Sequence, residues 1–200
     1  PRTRPPPPPK KTMDMTMKFK SLVVFAFATA INILPITVKG ETFVYSGGCF
    51  WCTEADTEQL DGVINVVSGF TGDTTENPRY LPGQWGDHRE AAKVIYDPLV
   101  ISFEELVQHV FTTVDYEDST GQFCDRGRSY SPAIYYKTDE ERKIAEKIAP
   151  PTSTLPLEPE GIFYPVRDEH QDFYKKKTMR YKYYRLRCGR DSRLKKLNFK

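Results

Sequence analysis

Two cysteines stand close together in one short stretch of the sequence, Ser-Gly-Gly-Cys-Phe-Trp-Cys at residues 46–52. A β-like run at residues 42–45 precedes it and residues 53–60 are predicted to be helical, so Cys49 lies where a strand turns into a helix. Two glycines allow a sharp turn there, and the free N–H groups and positive dipole end of a helix start favour a thiolate. The pattern therefore predicts that Cys49 is a reactive nucleophile.

The other cysteines are Cys52, Cys124 and Cys188. Their spacing does not suggest a disulfide framework, and with only three histidines they do not complete a paired zinc site, so no metal is predicted. Cys49 and Cys52 alone suggest a thioredoxin-like dithiol. Thioredoxin-type motifs, however, usually hold Gly-Pro between the cysteines, whereas this chain has two aromatic residues. Those aromatics are either an apolar wall beside the nucleophile or ordinary core residues.

The charge of the chain is strongly asymmetric. The 200 residues suffice for one domain plus tails, and the formal net charge is +2. Residues 175–200 hold twelve Lys or Arg and one acid, so the remainder is acidic. We expect this basic segment to be partly helical and to lie against the acidic body, rather than to bind nucleic acid or lipid.

The first forty residues are not expected to belong to the folded domain. Residues 1–16 are rich in proline and basic side chains, which predicts a disordered tail. Residues 17–40 combine a basic start, an apolar run at 22–34 and a small-residue patch, which indicates a signal peptide. The alternative is a core segment, and no stable membrane span is expected because a span needs about 20 residues. A secreted or periplasmic location follows, with a cytoplasmic or organellar one as the alternative.

The elements that must position the cysteines follow from periodicity and turn residues. Strands are predicted at residues 42–46, 63–70, 91–96 and 131–136, and helices at 53–60, 102–113, 139–148 and 170–177. Long polar loops cover residues 71–86 and 115–129. The predicted fold class is α+β, an α/β sandwich: a small mixed β-sheet flanked by helices, with long active-site loops and an extended C-terminal tail.

Several motifs besides the cysteine stretch occur in a characteristic order. They are Gly69-Phe70-Thr71-Gly72, Asn77-Pro78-Arg79-Tyr80, His88-Arg89-Glu90, Tyr96-Asp97-Pro98, the run Gly-Gln-Phe-Cys-Asp-Arg-Gly at 121–127, and Tyr130. Together with residues 47–54 they resemble the peptide methionine sulfoxide reductase A family. The resemblance is colinear over about residues 43–191, and it implies a catalytic domain at 41–174 followed by a recycling segment at 175–200.

The resemblance implies an enzyme that reduces the S epimer of methionine sulfoxide, free or in oxidised proteins. Cys49 matches the nucleophile that attacks the sulfoxide sulfur and becomes a sulfenic acid. Glu90 matches the acid that protonates the oxygen, a role that needs a raised pKa. The remaining matched positions are Tyr80 and Tyr130 as hydroxyl donors, Asp125 as an orienting residue, and Phe50 and Trp51 as the wall that binds the methyl group.

The resemblance also implies how the enzyme is recycled. Cys188 would attack the Cys49 sulfenic acid, with nearby Arg185, Arg187 and Arg190 lowering its pKa, and thioredoxin or a similar dithiol would reduce the disulfide. Cys52 and then Cys124 are alternative resolving thiols. No bound cofactor, no nucleic-acid partner and a monomeric state are expected, and His170 is expected to be a structural hydrogen-bonding residue.

Two rival functions remain at this point. One is a general dithiol oxidoreductase that uses Cys49 and Cys52 alone. The other is a non-enzymatic binding module with Trp51, Tyr80 and Tyr130 as an aromatic cage. Neither explains the combination of Glu90, Asp125 and Cys188 as well as the reductase does.

Overall fold

The computed structural model describes residues 40–81 and 83–197. The predicted disordered tail at 1–16 lies outside the described residues, and so does the predicted signal peptide at 17–40 except for Gly40. Within the described part of the chain, no helix is long and apolar enough to cross a membrane.

A six-stranded mixed sheet forms the centre of the fold, with the strand order β7-β6-β1-β3-β2-β8. The strands in chain order are β1 (Glu41–Ser46), β2 (Val63–Thr71), β3 (Arg89–Tyr96), β4 (Gly121–Gln122), β5 (Asp125–Arg126), β6 (Ala133–Tyr136), β7 (Leu157–Pro159) and β8 (Tyr164–Pro165). The β6–β7 pair is parallel and the other pairs of this sheet are antiparallel. β4 and β5 form a separate small hairpin that carries Asp125.

Helices occupy the segments between and after the strands. They are α1 (Phe50–Thr57), α2 (Phe103–Thr113), α3 (Asp139–Ile148), α4 (Phe173–Lys176), α5 (Thr178–Cys188) and α6 (Arg190–Leu197). Ser102 forms a capping box with Glu105 at the start of α2, and Thr138 caps α3. Both caps agree with the boundaries predicted from sequence.

The main core lies between the sheet and helices α2 and α3. Phe43 of β1 and Val94 of β3 pack there with Val107 and Val110 of α2 and with Ala145 of α3, and all five are buried. The predicted α+β class with a mixed sheet flanked by helices is therefore confirmed.

Two predicted boundaries are wrong. Helix α1 begins at Phe50, earlier than predicted, because the chain turns within the glycine pair and Cys49 is already the N-cap. Strand β3 begins at Arg89, so Glu90 lies on the strand and not ahead of it. The tail, which was expected to be partly helical, forms α5 and α6.

The basic tail is held against acidic side chains of the body, as its charge suggested. Arg193 lies 2.6 Å from Asp115, and Arg190 lies 3.2 Å from Asp56 of α1. Arg190 is only 2% exposed. Its Nη atoms have a carboxylate and two carbonyl oxygens as partners, whereas its Nε has no hydrogen-bond partner among the described residues. The contacts of the Nη atoms fix the tail in place.

Candidate active site

Cys49 lies at the corner between β1 and α1. Gly48 has a φ of 83°, and a Cβ at this position would lie 2.5 Å from the Cβ of Gln122. Only glycine fits both the backbone conformation and the space. The turn places Cys49 at the start of the helix, and this residue is 6% exposed.

Glu90 faces this corner from strand β3. Its Oε2 accepts a hydrogen bond from the Phe50 N–H at 2.9 Å, and the residue is 3% exposed. Burial raises the pKa of Glu90 to about 8, against the hydrogen bond from Phe50, which lowers it. The carboxyl is therefore mostly protonated at neutral pH, as an acid in this position requires.

Tyr80, Tyr130 and Asp125 lie around the same point. Both tyrosine hydroxyls feel the charges of Glu90 and Cys49. Burial raises the pKa of both tyrosines, so both hydroxyls keep their protons. Burial also raises the pKa of Asp125. The structure thus brings together the polar residues singled out in the sequence.

Aromatic rings form one side of the site. The Trp51 ring stacks on Phe173 with centroids 3.8 Å apart, and the Phe50 ring lies 5.6 Å from that of Tyr80. The His170 ring lies 4.2 Å from Tyr80 and stacks on Trp51. His170 therefore contributes packing to the wall. The wall is apolar and lies directly beside the Cys49 corner.

Cys49 and Cys52 are both free and buried, at 6% and 2% exposure. Burial raises the pKa of Cys49 well above its usual value, and contact with Cys52 and the charge of Glu90 act the same way. The hydrogen bond from Cys49 lowers the pKa of Cys52, and Arg190 and Arg185 add to this. The expectation that the helix start favours a Cys49 thiolate is not met in this state. A helix dipole contributes about 0.3–1 kcal/mol, and burial outweighs it.

Cys124 and Cys188 are joined by a disulfide. Cys188 is therefore not paired with Cys49, and Cys124, placed last among the resolving thiols, is its partner. The Cys188 sulfur also lies 3.7 Å from Oδ2 of Asp125. These three residues lie close enough together to resemble a metal site, but the covalent bond between the sulfurs accounts for the cluster.

Arg185 and Arg190 have partners on the body of the protein, and their expected effect on Cys188 stays a prediction. The Arg185 guanidinium binds Asp56 at 2.6 Å and also binds Asp191. The Arg190 guanidinium donates to the Gly47 carbonyl at 3.1 Å and to the Thr113 carbonyl at 2.6 Å. These residues hold the tail to the cysteine corner.

Tyr184 is the site residue that sequence reasoning missed. Its hydroxyl donates to Oδ2 of Asp125 and also lies within hydrogen-bonding reach of the Cys49 thiol. Its ring meets Trp51 edge-on at 5.9 Å. The available signal was its spacing of four from Cys188, which places both on one face of a helix. The tail was expected to be partly helical, but no helix was assigned to residues 178–188, so this spacing was not used.

Comparisons with known proteins agree with this site. The family model for peptide methionine sulfoxide reductase matches residues 41–200. The MsrA 2 enzyme of Rhizobium meliloti is 38% identical over 185 residues, which cover 88% of this chain and 93% of that protein. The MsrA/MsrB protein of Vibrio cholerae is 41% identical over 160 residues, which cover 74% of this chain but only 42% of that longer relative.

The fold of this chain also resembles that of a solved structure. The methionine sulfoxide reductase A of Corynebacterium diphtheriae superposes with a TM-score of 0.62 at 30% identity, covering 70% of this chain and 76% of that one. The match of the family model extends over both the cysteine corner and the helical tail. The chain therefore belongs to the peptide methionine sulfoxide reductase A family and is a methionine sulfoxide reductase.

Proposed function

We propose that this enzyme reduces the S epimer of methionine sulfoxide, free or in proteins, with Cys49 as nucleophile and Glu90 as proton donor. The observation that carries the assignment is the position of the Glu90 carboxyl. It is buried, has a pKa of about 8, and is hydrogen-bonded to the residue directly after Cys49. A neutral acid beside a buried thiol is the combination that sulfoxide reduction needs.

In the first step the Cys49 thiolate attacks the sulfoxide sulfur while Glu90 protonates the oxygen. Tyr80 and Tyr130 donate hydrogen bonds to that oxygen, Asp125 helps to orient the site, and the methyl group packs on Phe50 and Trp51. The oxygen passes to Cys49, so methionine leaves and Cys49 becomes a sulfenic acid.

Negative charges on Cys49 and on Glu90 at the same time are unfavourable, because the two groups lie in one buried pocket. The charge of Glu90 raises the pKa of Cys49, so the thiol loses its proton more readily while Glu90 is protonated.

The sulfenic acid is then resolved by the other thiols. Cys188 attacks Cys49, releasing water and forming a disulfide, and Cys124 then attacks Cys188 and frees Cys49. The second exchange produces the Cys124–Cys188 disulfide seen in the structure. Because Cys49 is 6% exposed and Cys124 lies on the surface, the exchange moves the disulfide to where an external dithiol such as thioredoxin can reduce it.

The burial of both thiols argues against the general oxidoreductase. Cys49 and Cys52 are 6% and 2% exposed, so a disulfide between them offers no sulfur to an unrelated protein substrate. Cys52 remains an alternative resolving thiol because it contacts Cys49 directly. Replacing Cys52 with serine separates the two routes. Resolution through Cys188 persists in Cys52→Ser, and resolution through Cys52 is lost.

The proposal is tested with the two epimers of methionine sulfoxide and dithiothreitol as reductant. We expect turnover of the S epimer by the wild type and none by Cys49→Ser. Failure of the wild type to reduce the S epimer, or undiminished activity of Cys49→Ser, would contradict the assignment. We also propose that residues 17–40 are a signal peptide and that the protein is secreted or periplasmic. N-terminal sequencing of the native protein would test this proposal.

A further inference from the structure

Three contacts connect Cys188 to Cys49 through two polar side chains. The Cys188 sulfur lies 3.7 Å from Oδ2 of Asp125, and the same oxygen accepts the hydrogen bond of the Tyr184 hydroxyl. Interaction with that hydroxyl lowers the pKa of the Cys49 thiol, so the two groups lie side by side. Tyr184 and Cys188 lie one turn apart on α5, so one helix face carries both ends of this chain of contacts.

Resolution of the Cys49 sulfenic acid by Cys188 requires proton transfer. When the Cys188 sulfur forms its bond to Cys49, the S–O bond breaks and the leaving oxygen must gain a proton to depart as water. Cys188 must lose a proton in the same step. Cys49 is 6% exposed, so bulk water has little access to the reacting sulfur. A protein relay can carry the proton from the attacking thiol to the leaving oxygen.

Glu90 does not provide the route for the proton of Cys188. It gives its own proton to the oxygen in the proposed first step, and the proton that the Cys49 thiol loses restores it. The Cys188 sulfur contacts Asp125, so the proton that this thiol loses passes first to Asp125. Cys52, Tyr80, Tyr130 and Tyr184 also lie around Cys49. Of these, Tyr184 donates a hydrogen bond to the carboxylate that lies beside Cys188.

We propose that Asp125 and Tyr184 form the proton relay of the resolution step, an inference that rests on the proposed function. Asp125 accepts the Cys188 proton, and the Tyr184 hydroxyl passes its own proton to the leaving oxygen and regains one from Asp125. The Cys49–O bond breaks, the Cys49–Cys188 bond forms, and water leaves. Cys188 is oxidised, the sulfenic sulfur is reduced, and no external oxidant or reductant is needed.

The environment of both groups suits this role. Burial and the charge of Cys49 raise the pKa of Tyr184, so its hydroxyl is protonated at rest and gives up its proton only as it receives another from Asp125. Burial raises the pKa of Asp125, which makes it a stronger base than an exposed carboxylate. Gly189, with a φ of 72°, ends α5 directly after Cys188. Glycine adopts this left-handed conformation without strain.

The test compares Tyr184→Phe with Tyr183→Phe, a matched control whose side chain on the outer face is 67% exposed. Reduced enzyme is mixed with one equivalent of the S epimer without further reductant. Samples are quenched at intervals with a reagent that traps sulfenic acids, and the trapped fraction is measured by mass spectrometry. We expect Tyr183→Phe to release one methionine per enzyme at the wild-type rate. Because Tyr184 lies beside Cys49, methionine release by Tyr184→Phe is measured separately, and the decay of its sulfenic acid is timed after the acid has formed. The sulfenic acid should persist at least about tenfold longer in Tyr184→Phe only.

The outcomes separate this inference from the proposed function. If the wild type releases no methionine, the proposed function fails. If methionine is released but the sulfenic acid decays at the wild-type rate in Tyr184→Phe, or equally slowly in Tyr183→Phe, the relay is wrong. A second measurement forms the sulfenic acid with hydrogen peroxide in Asp125→Asn. Slowed decay there supports the relay, and unchanged decay contradicts it.

Discussion

At the scale of single residues, the proton on Glu90 sets the pH dependence of the first step. Only the protonated carboxyl can donate to the sulfoxide oxygen, and its pKa is about 8. We therefore expect the single-turnover rate of methionine release to fall as the pH rises through about 8. A profile that is flat between pH 7 and 9.5 would contradict the assignment of Glu90 as the acid.

Replacing this acid should lower the rate without abolishing binding. Glu90→Gln keeps the size and the hydrogen bond from Phe50 but cannot donate an acidic proton. We expect the rate of methionine release to fall by about 10²–10⁴-fold, as for other acid catalysts, with KM little changed. Steady-state kinetics on the S epimer would measure both quantities, and an unchanged kcat would remove Glu90 from the mechanism.

The same carboxyl should also make stability depend on pH. Its folded-state pKa is raised above the ordinary value of 4.5 to about 8, so the folded protein binds the extra proton between these values. The contribution of Glu90 to stability is thus fully present below about pH 4.5 and is lost as the pH rises to about 8, at about 1.4 kcal/mol per unit. The free energy of unfolding of Glu90→Gln, measured in urea, should lack this dependence on pH. An identical pH slope in both proteins would show that the carboxyl is not buried as described.

At the scale of elements, Arg190 connects helices α5 and α6 to the turn that carries Cys49. Its guanidinium contacts the Gly47 carbonyl beside Cys49, Asp56 on α1 and the Phe123 ring beside Cys124. Removing one partner of a buried ion pair costs about 3–5 kcal/mol, because the other charge stays buried. The position of Cys188 relative to both of its proposed partners therefore depends on this residue.

We expect Arg190→Gln to detach the tail while leaving the first step intact. Methionine release should persist, formation of the Cys124–Cys188 disulfide should slow, and proteolysis within residues 178–197 should accelerate. The control is Arg193→Gln on the same helix, whose more exposed pairs with Asp115 and Glu117 are worth about 1 kcal/mol or less. Equal effects of the two substitutions would show that the contacts of Arg190 have no special role.

At the scale of the whole molecule, the sequence predicted β1, β2, β3 and β6 of the main sheet and helices α1 to α4 because their signals are local, whereas the short strands β7 and β8 were missed. Ser102 and Thr138 mark helix starts through their own side chains, and residues 63–70 show the β-branched run of a strand. The tail was harder, because α5 is rich in Lys and Arg and only Tyr181, Tyr184 and Cys188 mark its inner face. That face has meaning only once the body it packs against is known.

The sulfur pairing was not available from sequence for the same reason. Cys124 and Cys188 are separated by 64 positions, and only the docking of the tail brings them together. The raised pKa of Cys49 likewise follows from burial by distant segments. The location of Cys49, by contrast, follows from two glycines and a helix start within a few residues. Chemistry that depends on local turns was thus predictable, and chemistry that depends on the tail was not.

The central claim is that Cys49 receives the sulfoxide oxygen beside a protonated Glu90 and passes its oxidation to the surface through Cys188. Time-resolved peptide mapping of the reduced enzyme after one equivalent of the S epimer tests it most directly. We predict a sulfenic acid on Cys49, then a Cys49–Cys188 disulfide, and finally the Cys124–Cys188 disulfide with Cys49 again a thiol. Methionine release with Cys49 never modified at any time would contradict the account.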